Sequence, residues 1–251
     1  MAGSAGKLEL IRPDWPAAPR IVAAATTRAG GHSTGCFAGL NLAEHVGDEP
    51  EHVARNRRIL AAELDLPEAP RWLEQVHGKQ IVDASEVSAP IAADAVISAT
   101  AGQVCAVLTA DCLPVLLCDR KARHVAAVHV GWRGLLAGVI EASVEAFVRR
   151  RVAASSILAW LGPAIGPAAY EVGGDVWEVC SNRYPDHLSA FVSGRPEHWQ
   201  MDLYALARGI FERAGVTSVY GGDYCTFADE RFFSHRRDGV TGRQATLIWL
   251  Q

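Results

Sequence analysis

"VLTADCLPVLLCDRKARHVAAVHVGWRGLLAGVIEASVEAF", residues 107–147, joins apolar runs to a helical pattern through short polar corners. "PVLLCD" and "HVAAVHV" are short, rich in valine, leucine and alanine, and flanked by turn residues, so both are read as buried strands. Further on, Leu136, Ile140, Val144 and Phe147 recur at i, i+4, i+8 and i+11 and therefore share one helix face. The spacing predicts one helix over "GLLAGVIEASVEAFVRRR", residues 134–151. Strands followed by an amphipathic helix imply an α/β protein.

The polar residues inside these runs are the unusual feature. Asp111 and Cys112 precede Leu113-Pro114, a turn signal between two apolar strands, which puts the thiol on a tight corner. Asp111 is costly to bury unless it is bonded or paired, so the corner is either a backbone-capping turn or a site. Period two puts Val125, Ala127 and His129 on one strand face, with His129 near the strand end.

Outward from this stretch, "RIVAAATT", "QIVDA", "DAVIS", "VCAVLTA" and "TLIWL" read as further strands. "EPEHVARNRRILAAEL" and "DLYALARGIFERAG" carry helical spacing. The Pro/Gly clusters are ordinary loops, and no repeat or linker divides the chain. A single domain over 1–251 is expected, with 1–20 as an N-terminal extension or edge segment.

The chain has 251 residues, 49% of them hydrophobic and 21% charged, with a formal net charge of −4. That length supports a sizeable core without disulfides. The balance lacks the basic excess of a nucleic-acid binder, and the first twenty residues lack a cationic stretch followed by an apolar segment. The expectation is a cytoplasmic protein with no nucleic-acid or membrane partner; oligomeric state is not legible. Of the six cysteines, none is spaced C-x-x-C, and Cys105, Cys118 and Cys180 read as small core side chains.

A third chemical residue, His77, lies in "WLEQVHGKQIV". His77, Cys112 and His129 are all expected at strand ends, the usual place for chemistry on a rigid scaffold. Two imidazoles and a thiolate suit a zinc site with an open position, a cysteine nucleophile with a histidine base, or a mononuclear copper site. Spacing alone does not choose among them. A multicopper centre fits poorly, because the nine histidines include no H-x-H pair. In "VHVGWRG", Gly131 and Gly134 bracket a strand-to-helix turn of anion-binding type, with Arg133 as an added cation.

Taken together, "TTRAGGHSTGCFAGLNLAEHVGDEPEHVARNRRIL", "WLEQVHGKQIVDA", "CAVLTADCLPVLLCD", "VAAVHVGWRGLLAGVIE", "LGPAIGPAAYEVGGDV" and "RFFSHRRDGVTGRQATLIWL" resemble, in order, the YfiH-type family. These proteins are also called laccase-domain or polyphenol-oxidase-like and are largely classed as purine nucleoside phosphorylases. The resemblance implies a single-domain α/β sandwich with a mixed sheet, like the cysteine-deamidase toxins. It implies a zinc held by His77, Cys112 and His129, with copper as the alternative metal. The implied activity is phosphorolysis of adenosine, inosine, guanosine and methylthioadenosine, together with adenosine deamination. A second activity attributed to relatives is amide hydrolysis in peptidoglycan precursor editing, with Cys112 as nucleophile and His129 as base; copper-dependent polyphenol oxidation is a third reading. The chain departs from the family at His235, where tyrosine is usual, and at Gln244, where methionine is common.

For a reaction of purine nucleoside with inorganic phosphate, the candidate anion contacts are Arg28, Arg133 and Arg243, whose guanidinium groups fork onto phosphate oxygens. Asn41 and Gln75 carry amides suited to base or ribose edges. Asp111 is the nearest group that could shuttle a proton.

Overall fold

The structure, a computed structural model, describes residues 7–251. The first six residues of the expected N-terminal segment lie outside the described residues. The strands are β1 (Leu10–Ile11), β2 (Ile21–Thr26), β3 (Ile81–Asp83), β4 (Ala95–Ser98), β5 (Cys105–Thr109), β6 (Leu113–Asp119) and β7 (Val125–Val130). They continue as β8 (Ile157–Leu161), β9 (Glu171–Gly173), β10 (Phe191–Ser193), β11 (His198–Met201), β12 (Ser218–Gly221) and β13 (Gln244–Leu250). The helices are α1 (Pro50–Glu63), α2 (Trp132–Ala137), α3 (Val139–Arg149), α4 (Gly174–Arg183), α5 (Leu203–Arg213) and α6 (His235–Asp238).

Two large sheets stack face to face. One is a mixed six-stranded sheet in the order β12-β8-β6-β7-β4-β3, with parallel pairs at both edges; the other is antiparallel, β1-β2-β13-β5. A small β10-β11-β9 sheet stands apart from them. Alternation along each strand feeds three cores. Leu116, Val125, Ala127 and Trp160 of the mixed sheet meet Cys105, Val107 and Ile248 of the antiparallel one. On the opposite face of the mixed sheet, Val115, Leu117 and Val128 pack with Ile140, Phe147, Leu206 and Ile210 of α3 and α5. On the far face of the antiparallel sheet, Ala106, Leu247 and Trp249 pack with Leu60 of α1. The result is a helix–sheet–sheet–helix sandwich, which explains why the strands read as continuous apolar runs: both faces are covered.

Each of the seven stretches read as strands is one. β8, β12, the small sheet, α4 and α6 lie outside the strands and helices that the sequence pattern predicts. The run "ILAWL" of β8 has little β-branched content, and α4 in "GDVWEVCSNR" has a weak apolar stripe. Leu10–Ile11 pairs with β2 as an edge strand. No described helix is long and apolar enough to cross a membrane.

The single helix expected over residues 134–151 is in fact two. It starts earlier, at Trp132, and breaks at Gly138, whose φ of 95° is left-handed and whose N–H closes α2 onto Gly134 O and Leu135 O. The apolar stripe survives because α3 restarts at once. Gly138→Ala is expected to cost about 1–2 kcal/mol from the backbone alone. Its Cβ would also meet Arg183 Nη2 at 2.7 Å. Urea unfolding checks this: the midpoint should fall at unchanged slope.

Candidate metal centre

The β5–β6 connection is the corner expected from sequence, and it is strained. Asp111 has φ 94° without being glycine, a conformation that persists only where its surroundings over-determine it. They do so here: Asp111 O accepts from Ile165 N at 2.9 Å, Oδ1 from the Thr226 hydroxyl at 2.6 Å, and Oδ2 from Arg236 N at 2.6 Å. The carboxylate thus ties the segment carrying His235 and Arg236 to the corner that presents Cys112.

His129 sits near the end of β7, 3% exposed, and faces the inter-sheet side as period two requires. His77 is not at a strand end. It lies in the loop before β3 with φ 58°, held there by Asp94, whose Oδ1 accepts from His77 N at 2.9 Å and Oδ2 from Gly78 N at 2.6 Å. Asp94 is fully buried and also bonds His129 Nδ1 at 2.7 Å. Burial would raise its carboxyl pKa, but the bonds from His129 and Gly78 hold it below the usual range.

The ligating atoms of His77, Cys112 and His129 all lie within 4.8 Å of one another. Cys112 Sγ is 3.7 Å from His77 Nε2, and the two imidazoles meet edge to face with centroids 4.7 Å apart. A tetrahedral zinc with bonds of about 2.3 Å to sulfur and about 2.0 Å to nitrogen would separate those donors by roughly 3.6 Å, so the trio fits one ion. Burial pushes the Cys112 thiol up, yet the charge of His129 and hydrogen bonds to both imidazoles outweigh it and bring it to about 6. Burial conversely pushes His129 down, and Cys112 and Asp94 carry it up to about 9. A thiolate is the form that binds metal or attacks carbon. By contrast, burial lifts the Cys118 and Cys180 thiols to about 12 and about 11, as suits inert core side chains.

The trio opens onto a cavity of about 500 Å³. Asp111, Gln75, Arg133 and Arg243 line it. Gln75 spends both ends of its amide on Leu108 N and O, and Arg243 donates to Thr241 O and Gly242 O. Arg28 and Asn41 are not in the wall. Arg28 donates to Ala38 O and lies over the Phe233 ring, while buried Asn41 links Ala43, Asp48 and Arg243 N. Both organise the loop before α1. The wall also holds His45, Tyr170, His235 and Arg236, which spacing did not single out. For His235 the signal was its departure from the tyrosine usual in the family; for Arg236 it was the dense polar run "FSHRRD".

The glycines of "VGWRG" act by close packing. A Cβ on Gly131 would lie 2.6 Å from His77 Cδ2 and 3.1 Å from Cys112 Sγ, and one on Gly134 would lie 2.9 Å from Gly78 O. Their lack of side chains lets the start of α2 press against the His77 loop.

Fold and centre together define a class: an α/β sandwich presenting one His/Cys/His metal-type centre in the wall of a cavity. The chain belongs to the family described as multi-copper polyphenol oxidoreductase laccase, matched over residues 22–251. It is 49% identical over 243 residues to a purine nucleoside phosphorylase of Pseudomonas aeruginosa, covering 96% of this chain and 98% of that one. It is 48% identical over 244 residues to purine nucleoside phosphorylase YfiH of Escherichia coli, covering 96% and 99%. Among solved structures, a Neisseria meningitidis protein superposes with a TM-score of 0.92 at 45% identity, covering 96% of this chain and 99% of that one. YlmD from Geobacillus stearothermophilus superposes with a TM-score of 0.91 at 33% identity, covering 100% and 98%. Despite the family's description, the described residues gather a single such donor group, with room for one ion.

Proposed function

We propose that the protein is a zinc-dependent purine nucleoside phosphorylase, converting adenosine, inosine, guanosine or methylthioadenosine and phosphate to free base and pentose 1-phosphate, with adenosine deamination as a second activity. The observation that carries this reading is the His77–Cys112–His129 trio opening onto a cavity of nucleoside size. The names of relatives at 48–49% identity support it.

Phosphorolysis breaks the ribose–nitrogen bond through a transition state resembling the oxocarbenium ion of glycoside cleavage. Arg133, Arg236 and Arg243 supply a cationic wall for the incoming phosphate. Arg133 already lies over the Trp132 ring, its centre 4.2 Å from the centroid, so its guanidinium is positioned with little further ordering. Tyr170 keeps its proton, because burial and the Cys112 thiolate push its phenol up, and it can donate to the departing base. Zinc, when bound by the trio, supplies a Lewis acid in the cavity wall. In deamination Asp111 keeps room to take a proton, because its two oxygens accept one bond each, from the Thr226 hydroxyl and from Arg236 N.

Chromatography of inosine with phosphate should reveal hypoxanthine; chelation should abolish the reaction and zinc should restore it. Adenosine without phosphate should yield inosine if deamination belongs to this site. The depressed thiol of Cys112 beside His129 favours one rival, an amide hydrolase acting on peptidoglycan precursors. That rival would survive chelation and fall to thiol alkylation. Metal analysis of protein purified without added metal distinguishes zinc from copper.

A further inference from the structure

We propose that Asp94 is a positioning residue that aims both histidine ligands at one point, so that a single buried carboxylate sets the geometry of the centre. This rests on the metal reading above. The residue was invisible as a site element in "AADAVIS", where it precedes an apolar strand, and it does not line the cavity.

Its connections reach two ligands from different parts of the chain. On one side, His129 is bound twice, through its own N–H to Asp94 O at 2.7 Å and through Nδ1 to Oδ1 at 2.7 Å. A carboxylate only accepts, so the imidazole proton sits on Nδ1 and the lone pair of Nε2 is left for the ion. On the other side, Oδ1 takes His77 N and Oδ2 takes Gly78 N. Those bonds hold His77 in the left-handed conformation that carries its Nε2 to 3.7 Å from Cys112 Sγ.

Among the described residues, the ion-pair partner of Asp94 is His129 alone; no Lys or Arg neutralises it. A fully buried carboxylate is costly without cationic or hydrogen-bonding partners, and here nearly all its acceptor capacity is spent on the two ligand-bearing segments. A residue serving the sheet alone would have no reason to bond a ligand's ring nitrogen. Partners of this kind orient metal-binding imidazoles and raise their basicity, and their loss weakens metal binding roughly 10–100-fold.

The test is Asp94→Asn, which keeps the size but leaves one acceptor oxygen in place of two. Zinc affinity, measured by competition with a chromophoric chelator well below the unfolding temperature, should fall roughly 10–100-fold. A purely structural role would lower the unfolding midpoint and leave that affinity unchanged, and this result would overturn the proposal. Should the variant not fold, the wild-type protein decides. With ¹⁵N-labelled histidine, metal-free protein at a pH above about 9, where the His129 imidazole is neutral, should carry its one ring proton on Nδ1, and cadmium-113 should couple to Nε2 of both His77 and His129. Coupling to Nδ1 of His129, or its proton on Nε2, would refute the role. If wild-type protein binds neither zinc nor cadmium, the metal reading itself fails, while the His129 tautomer still reports on Asp94.

Discussion

Cys112→Ala should leave a folded protein that no longer retains zinc and converts inosine and phosphate more than about 100-fold more slowly than wild type. The bound is a minimum because even partners behind the ligands are worth roughly 10–100-fold in affinity or activity, and Cys112 is the only sulfur of the three donors. Folding should survive because the thiol is partly exposed, while the corner is held by Asp111 through Thr226, Arg236 and Ile165. The checks are metal stoichiometry by mass spectrometry, product chromatography and a thermal melt. Retained metal with lost turnover would turn the reading towards Cys112 as nucleophile. Retained metal with full turnover would defeat both.

Gly131→Ala should damage the centre through one methyl group. Gly131 has an extended backbone, φ −80° and ψ 165°, that alanine accepts freely, so the effect is steric. The new Cβ would stand 2.6 Å from His77 Cδ2 and 3.1 Å from Cys112 Sγ, far inside the usual carbon contact of about 3.5–4.0 Å. The His77 backbone is fixed by its bond to Asp94, so only the ring can give way, and turning it carries Nε2 off the centre. Zinc affinity is therefore expected to drop by at least about 10-fold, in the range found when ligand orientation is disturbed. Overpacking should cost the metal-free fold about 1–3 kcal/mol. Chelator competition and urea unfolding measure the two separately. Unchanged affinity would mean that His77 moves more freely than its contacts indicate.

The same glycine illustrates the limit of a local reading. In "VHVGWRG" it is one of two glycines at a strand-to-helix turn, a pattern that fits anion binding equally well. Its packing against His77 becomes evident only when a loop far earlier in the chain is laid across it. Gly138 likewise reads as one more small residue on a helical stripe, and its left-handed φ breaks the helix without disturbing the period of Ile140, Val144 and Phe147. Arg28 and Asn41 have the right chemistry for a substrate. Chain geometry gives Arg28 to a backbone carbonyl and an aromatic ring, and turns Asn41 to the loop it buries.

Runs of valine, leucine and alanine identify strands because each is covered on two faces, and burial is a preference that every residue expresses on its own. The three donor types were legible for the same reason: a thiol and two imidazoles at the ends of apolar runs are chemically conspicuous. Their convergence was not. His77 and Cys112 are 35 residues apart in sequence and 3.7 Å apart in space, and nothing in the spacing of either encodes that approach. It depends on Asp94 holding two segments at once and on Gly131 leaving room between them, which are relations between distant parts of the chain that no local period can carry.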